Sequence, residues 1–260
     1  MASGVPRRHL RVQSPYMRGD DVRALQRALG VTVDGEYGPL TRAAMRERLF
    51  ELGGHMRHFK RVGATPKQQR VVRGLVKRPK AWKKRAKRRK ARMKGPEKAL
   101  RWARRWIGYT EQPPGSNRGS WGLTQWQASL GEWLVGKAWC GVFVGMALIA
   151  GGVKGITWRV ASVWNILQDG IKGEHGFSRL VYRRSTGQGS VSAGRLGDVI
   201  GLFGESTHVE FVVRRVPGGY ETIGGNTASS NAGSQSNGGG VWPRTRSDRD
   251  VAYIVRPRWS

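Results

Sequence analysis

One cysteine, Cys140, occurs in 260 residues, which excludes an intramolecular disulfide and a cysteine-rich zinc site as devices that hold the fold. Acidic residues are scarce as well: 17 Asp and Glu stand against 47 Lys and Arg, for a formal charge of +30. That imbalance points to a polyanionic partner, whether nucleic acid, anionic lipid or acidic wall polymer, and charge alone does not choose among them. The N-terminal MASGVPRRHLRVQSP is basic but lacks an apolar core, so no secretory signal is expected. The charge-free apolar run from Ala138 to Val153 is too short to span a bilayer and is broken by glycines, so it reads as a buried helix. Carboxylates form no pair of the kind a glycosidase uses, which counts against a muramidase. Asp-x-Asp clusters are missing too, and neither a metal nor a cofactor is expected.

With 38% hydrophobic residues, the chain has room for one medium core or for a small and a larger domain. Charge distribution suggests the cuts. Residues 60 to 105 hold 21 Lys or Arg and a single acid, Glu97. The reading divides the chain into an N-terminal domain over 1–56, a highly basic helical linker over 57–95 and a C-terminal domain over 96–260. In the first, GDDVRALQRALG places Val22, Leu25 and Leu29 on one helical face, with Asp20 and Asp21 at the positive end of the dipole and Gly30 placed to stop it. A turn at Asp34-Gly35 and a helix start at Gly38-Pro39 follow, with Leu40, Ala43, Ala44 and Leu49 as apolar contacts. This stretch, through Gly19, Val22, Leu25, Gln26, Leu29, Asp34, Gly35, Tyr37, Gly38, Thr41 and Ala44, resembles the peptidoglycan-binding domain found beside cell-wall hydrolases. The resemblance implies substrate contacts from Asp34, Gly35 and Tyr37.

In the linker, Pro66 suits a first helical turn, Pro79 breaks the run and Gly95-Pro96 ends it. Between Pro79 and Gly95 only Trp82 and Met93 offer apolar bulk, so this stretch is expected to be solvated or bound to an anion rather than packed as core. Beyond Pro96, Leu100, Ala103 and Ile107 line a helical face beside Trp102 and Trp106, and Glu97 sits in the first turn. GYTEQPPGSNRGSWG reads as loop, KAWCGVFVGMAL as a helix opening at Trp139 or Cys140, and ASVWNILQDG as another helix. GDVIGLF, HVEFVVRRV, GYETIGG and VAYIVRP then read as strands. Helices followed by an antiparallel sheet describe an α+β domain.

On helical pattern alone Cys140 reads as core. A thiol at a helix N-terminus is also the setting in which a thiolate is favoured, and a histidine can reach it from a distant strand. Of five histidines, His9, His55, His58 and His175 lie in the tail, the basic segment or a Gly-rich loop; His208 alone begins a predicted strand. Asn226, eighteen residues on, is the expected orienting group. Trp121, Trp126, Trp133 and Trp158 read as core or cleft wall.

The order of Trp139-Cys140, GDVIGLF, His208-Val209, Gly225-Asn226-Thr227 and GGGVWPRTR, with the loop at 108 to 119, resembles the CHAP family, the cysteine, histidine-dependent amidohydrolases and peptidases of phage lysins and bacterial wall enzymes. The resemblance covers residues 96 to 258 and implies a papain-like fold. It assigns Cys140 as nucleophile, His208 as general base and then acid, Asn226 as orienting residue and Trp139 as a substrate contact. Many members carry a glutamate two residues before the asparagine; here that position is Gly224, and Glu221 lies nearby as a weaker candidate. The backbone amide of Cys140 is the expected first oxyanion donor. The implied protein is a monomeric phage endolysin that cuts a peptidoglycan amide bond as amidase or endopeptidase, held in the host cytoplasm until lysis and then at the wall, or carried on a virion. Residues 57–95 would add contact with anionic wall polymers or a membrane surface. The competing readings are an inactive wall-binding protein and a basic nucleic-acid-binding virion protein, the latter disfavoured because no reading motif accompanies the charge.

Overall fold

The computed structural model describes residues 6, 8–31, 33–54, 56, 59, 63–119, 122–230 and 233–260. Trp121, His55, His58 and the side chain of Leu40 lie outside the described residues. The chain forms two compact units, Met1–Met93 and Lys94–Ser260.

Helices α1 (Asp20–Leu29), α2 (Pro39–Leu52), α3 (Pro66–Val72) and α4 (Lys80–Arg92) build the first unit. Local chemistry sets their ends. Asp20 and Asp21 open α1 and Gly30 closes it in the left-handed region at φ 68°, the cap that glycine adopts without a Cβ penalty. Pro39 and Pro66 occupy first turns, and Thr65 and Gln68 form a reciprocal capping box on α3. The core gathers Leu10, Val22, Leu25, Tyr37, Met45, Leu49, Phe59, Val71, Val72 and Trp82.

Helix α4 corrects the expectation that residues 79 to 95 stand clear of any core. Nine of its thirteen residues are Lys or Arg, yet Trp82 is buried in the first unit's core. Arg85 donates to the Gly53 carbonyl, while Arg89 donates to those of Phe50 and Gly54 at 3.0 and 2.9 Å. The Arg89 guanidinium also lies 4.6 Å from the centre of the Phe50 ring. These carbonyls lie at and just beyond the C-terminal end of α2, where the dipole is negative. A cationic helix therefore docks by feeding guanidinium groups to that end, a device that hydrophobic counting misses.

In the second unit, α5 (Gly95–Arg105), α6 (Leu123–Leu130), α7 (Cys140–Gly151) and α8 (Val163–Lys172) precede an antiparallel sheet. Its strands are β1 (Phe177–Arg183), β2 (Gln188–Gly189), β3 (Val199–Leu202), β4 (His208–Val216), β5 (Gly219–Thr227), β6 (Gly240–Ser247) and β7 (Val251–Pro257). They run in the order β2-β1-β7-β3-β4-β5-β6. The α+β expectation holds at this level. Strands β1 and β6 carry no clean strand pattern in sequence because charged residues interrupt them, and Pro243 is accommodated in β6 because that strand is an edge.

Strand alternation divides the sheet's contacts. On β7 the Tyr253 hydroxyl donates to the Val163 carbonyl of α8 at 2.7 Å, while Ile254 joins Ile200, Leu202, Val212, Tyr220 and Val251 in a separate buried cluster. Helix α7 buries Val142, Phe143, Val144, Ala147 and Leu148 completely, each worth about 2 kcal/mol of apolar burial for the larger side chains. Phe143 meets Trp102 and Trp126, which extend with Trp106 and Tyr109 into one aromatic cluster. Phe143→Ala should cost about 3–5 kcal/mol; chemical denaturation would read this as a lowered midpoint at unchanged slope.

Candidate active site

Cys140 is the first residue of α7. The first intrahelical bond there runs from Phe143 N–H to the Trp139 carbonyl at 2.9 Å, so the N–H groups of the opening turn are free of helix partners and point at what lies beyond it. The backbone N–H groups of Val209 and Gly141 add to the causes that lower the thiol's pKa. Strand β5 fixes the helix start from the side. A Cβ on Gly225 would stand 2.5 Å from Phe143 Cβ, so glycine is what allows the strand to lie against α7.

His208 opens β4 and is fully buried. Its Nε2 lies 3.2 Å from Glu210 Oε1, while the other ring nitrogen, Nδ1, is buried without a hydrogen-bond partner, and Cys140 is the neighbouring titratable group on the imidazole besides Glu210. Cys140 keeps 5% of its surface exposed while His208 and Glu210 keep none, so the cysteine is the least covered member of a buried row. Glu210 is held from its other side by Arg246, whose Nε donates at 3.0 Å and whose terminal nitrogen forms an ion pair, and by the Thr222 hydroxyl. Register places Phe211 opposite Ile223, and so Glu210 opposite Gly224. A Cβ at Gly224 would stand 2.5 Å from Glu210 Oε1: the bare glycine leaves room for this carboxylate.

The charges along the row support one another. Burial pushes the Cys140 thiol up, but the neighbouring, positively charged His208 outweighs it and holds the thiol below its ordinary range. Burial alone would depress His208; Cys140 and Glu210 override it and raise the imidazole to about 9. Burial would likewise raise Glu210, whereas His208 and Arg246 bring it down to about 2. His208 thus favours the thiolate form of Cys140, and the Glu210 carboxylate favours the imidazolium form of His208.

This arrangement predicts a bell-shaped pH dependence. The acid limb follows Cys140 protonation below its ordinary thiol range, and the alkaline limb follows His208 deprotonation near 9. Stability shares the signs. His208, raised by folding, contributes fully below its ordinary 6.5 and loses the contribution as pH rises through about 9. Glu210, lowered by folding, contributes above its ordinary 4.5 and loses it as pH falls through about 2. NMR titration of the His208 ring would check the alkaline limb directly.

Several residues expected at the site serve other ends. Asn226, at φ 57°, donates from Nδ2 to Asn237 Oδ1 at 3.2 Å and accepts from Gly239 N–H at 3.3 Å; the carboxylate of Glu210, not this amide, meets His208. Trp139 is fully buried and donates its indole N–H to Glu111 at 2.8 Å, so it anchors the helix entrance and offers no face to a substrate. Glu111 also accepts from Asn117 N–H at 3.1 Å, and its own N–H bonds the Gly239 carbonyl, which ties the 108–119 loop to β6. Glu221 pairs with Arg214. Trp126 is core, whereas Trp133 and Trp158 are exposed and meet edge to face at 5.7 Å.

In the first unit Tyr37 is fully buried, and burial pushes its hydroxyl up; it belongs to the core rather than to a binding face. Asp34 and Gly35 instead shape their own loop. The buried amide of Gln26 donates to Asp34 Oδ1, the Glu36 carbonyl and Thr41 Oγ1, and accepts from Gly35 N–H. Among the described residues, one group could bring three metal-binding atoms together: Asp169, Glu174 and His175. Asp169 already holds the Arg159 guanidinium at 2.8 to 3.2 Å, so its charge is met by an internal cation.

No family model, curated protein or solved structure matches the chain. No helix is long and apolar enough to cross a membrane among the described residues.

Proposed function

We propose that the chain is a peptidoglycan hydrolase of the phage-lysin type, in which a papain-like CHAP unit cuts an amide bond and the first unit holds the wall. The observation that carries this reading is the row Cys140, His208, Glu210, with the cysteine at a helix N-terminus and the least buried of the three. Glu210 also bears on the departure at Gly224. Where the resembled family carries a glutamate on the later strand, this chain brings a carboxylate to the same space from β4.

Chemistry follows from the charges. The preformed Cys140 thiolate attacks the carbonyl carbon, and the developing oxyanion meets backbone N–H groups of the α7 opening turn. As the C–N bond breaks, imidazolium His208 gives its Nδ1 proton to the leaving amine, forming a thioester. Neutral His208 then takes a proton from water, whose hydroxyl attacks the thioester and releases the carboxylic acid and the thiolate. Glu210 keeps the ring oriented and stabilises its charged form throughout. Tethering by the first unit raises the local concentration of the site at an insoluble polymer.

The test is mass spectrometry of fragments released from purified cell walls. Each cut should leave one new carboxyl and one new amine; a free muramyl lactyl group identifies the amidase, and a new peptide terminus the endopeptidase. Release of fragments carrying only new reducing sugar ends would overturn the assignment.

A further inference from the structure

Docking of α4 leaves its cations in a fixed array. Trp82, Arg85 and Arg89 face α2, and helical spacing sets Lys80, Lys84 and Lys87 on the opposite side with Lys83, Arg88 and Lys90 flanking them. All six are exposed. No acidic residue occurs between Glu51 and Glu97, so nothing within the segment neutralises them. The turn that leads into this helix adds a different feature. Leu75 and Val76 are adjacent, 48% and 42% exposed, and stand between Arg73 and the Lys77-Arg78 pair.

A polyphosphate or acidic glycan would be served by the cations alone. Two neighbouring aliphatic side chains held in water beside a cationic helix instead match a surface with anionic headgroups over an apolar interior. The helix offers no apolar stripe on its outer side, so it would lie on the headgroups while the turn inserts. We propose that residues 75–92 form a docking surface for an anionic phospholipid bilayer, with Leu75 and Val76 as the inserting pair and the outer lysines of α4 as the headgroup contacts. The proposal does not depend on the catalytic reading.

The cations are worth about fivefold each in association with an anionic lipid surface. Full-length protein should co-sediment with phosphatidylglycerol-containing vesicles and not with pure phosphatidylcholine ones. Replacing Lys80, Lys84, Lys87 and Lys90 by glutamine should weaken vesicle binding about 600-fold, and replacing the same four by arginine should retain it. The deciding variant is Leu75→Ser with Val76→Ser, at exposed positions that folding does not use. It should weaken vesicle binding at least tenfold and leave affinity for duplex DNA, a control polyanion, unchanged. Vesicle binding by that variant equal to the wild type, or wild-type affinity for the vesicles no greater than for DNA of matched charge, would overturn the proposal. Hydrolysis of purified, lipid-free walls by the Leu75→Ser, Val76→Ser variant should match the wild type, and absence of hydrolysis by the wild type would count against the catalytic reading alone.

Discussion

Cys140→Ala should reduce wall hydrolysis to background, a loss on the order of 10⁴-fold or more, while the protein still folds and sediments with walls. The residue begins α7 with a small side chain, and alanine in its place leaves Val142, Phe143 and Leu148 to hold the helix. Cys140→Ser is the sharper version. A hydroxyl fits the same space, but its proton is too tightly held for His208 to maintain an alkoxide, so the serine variant should be equally inactive. A second readout is independent of substrate. Because Cys140 is among the groups that raise His208 to about 9, the imidazole should titrate at lower pH in Cys140→Ala. Clearing of wall suspensions by the alanine variant at the wild-type rate would refute nucleophilic catalysis by this residue.

Glu210→Gln should produce the second largest effect, through two channels that can be separated. The amide keeps the shape but removes the charge that supports imidazolium, so the alkaline limb of the pH profile should move downward and the rate at neutral pH fall by on the order of a hundredfold. The same change leaves the buried Arg246 without its ion-pair partner, which should cost about 3–5 kcal/mol of stability. A purely structural role would lower stability and leave the pH limb of the surviving folded protein in place. Relocating the acid adds a rescue: Glu210→Ala with Gly224→Glu places a carboxylate in the space vacated across the strand pair. Partial recovery of the alkaline limb in that double variant would tie the effect to the charge beside His208; an unchanged limb in Glu210→Gln would refute the positioning role.

Much of the second unit was legible because its signals are local. HVEFVVRRV and VAYIVRP alternate and lie between turn residues, and both appear as strands with the bounds read from sequence. The charge-free run around Cys140 is a buried helix that begins at the cysteine. Glu210 was also within reach: in a strand, residues two apart share a side, so HVE places a carboxylate beside His208 without any long-range information. Asn226, the orienting residue that the resemblance implies, turns its side chain to Asn237 and Gly239 instead.

The amino-acid order by itself determined the helix ends, the strand alternation, the isolation of the thiol and the acid-poor middle of the chain, because each depends on neighbours within a few residues. Tertiary structure alone decided which buried groups meet. Gly224 and Gly225 reveal their purpose only against Glu210 and Phe143; Trp139 and Tyr37 turn inward because Glu111 and the first unit's core are there to receive them. The basic segment packs because Arg85 and Arg89 find the carbonyl end of α2. Such pairings join residues far apart in sequence, and their energy comes from burial and dipole geometry that no local pattern encodes.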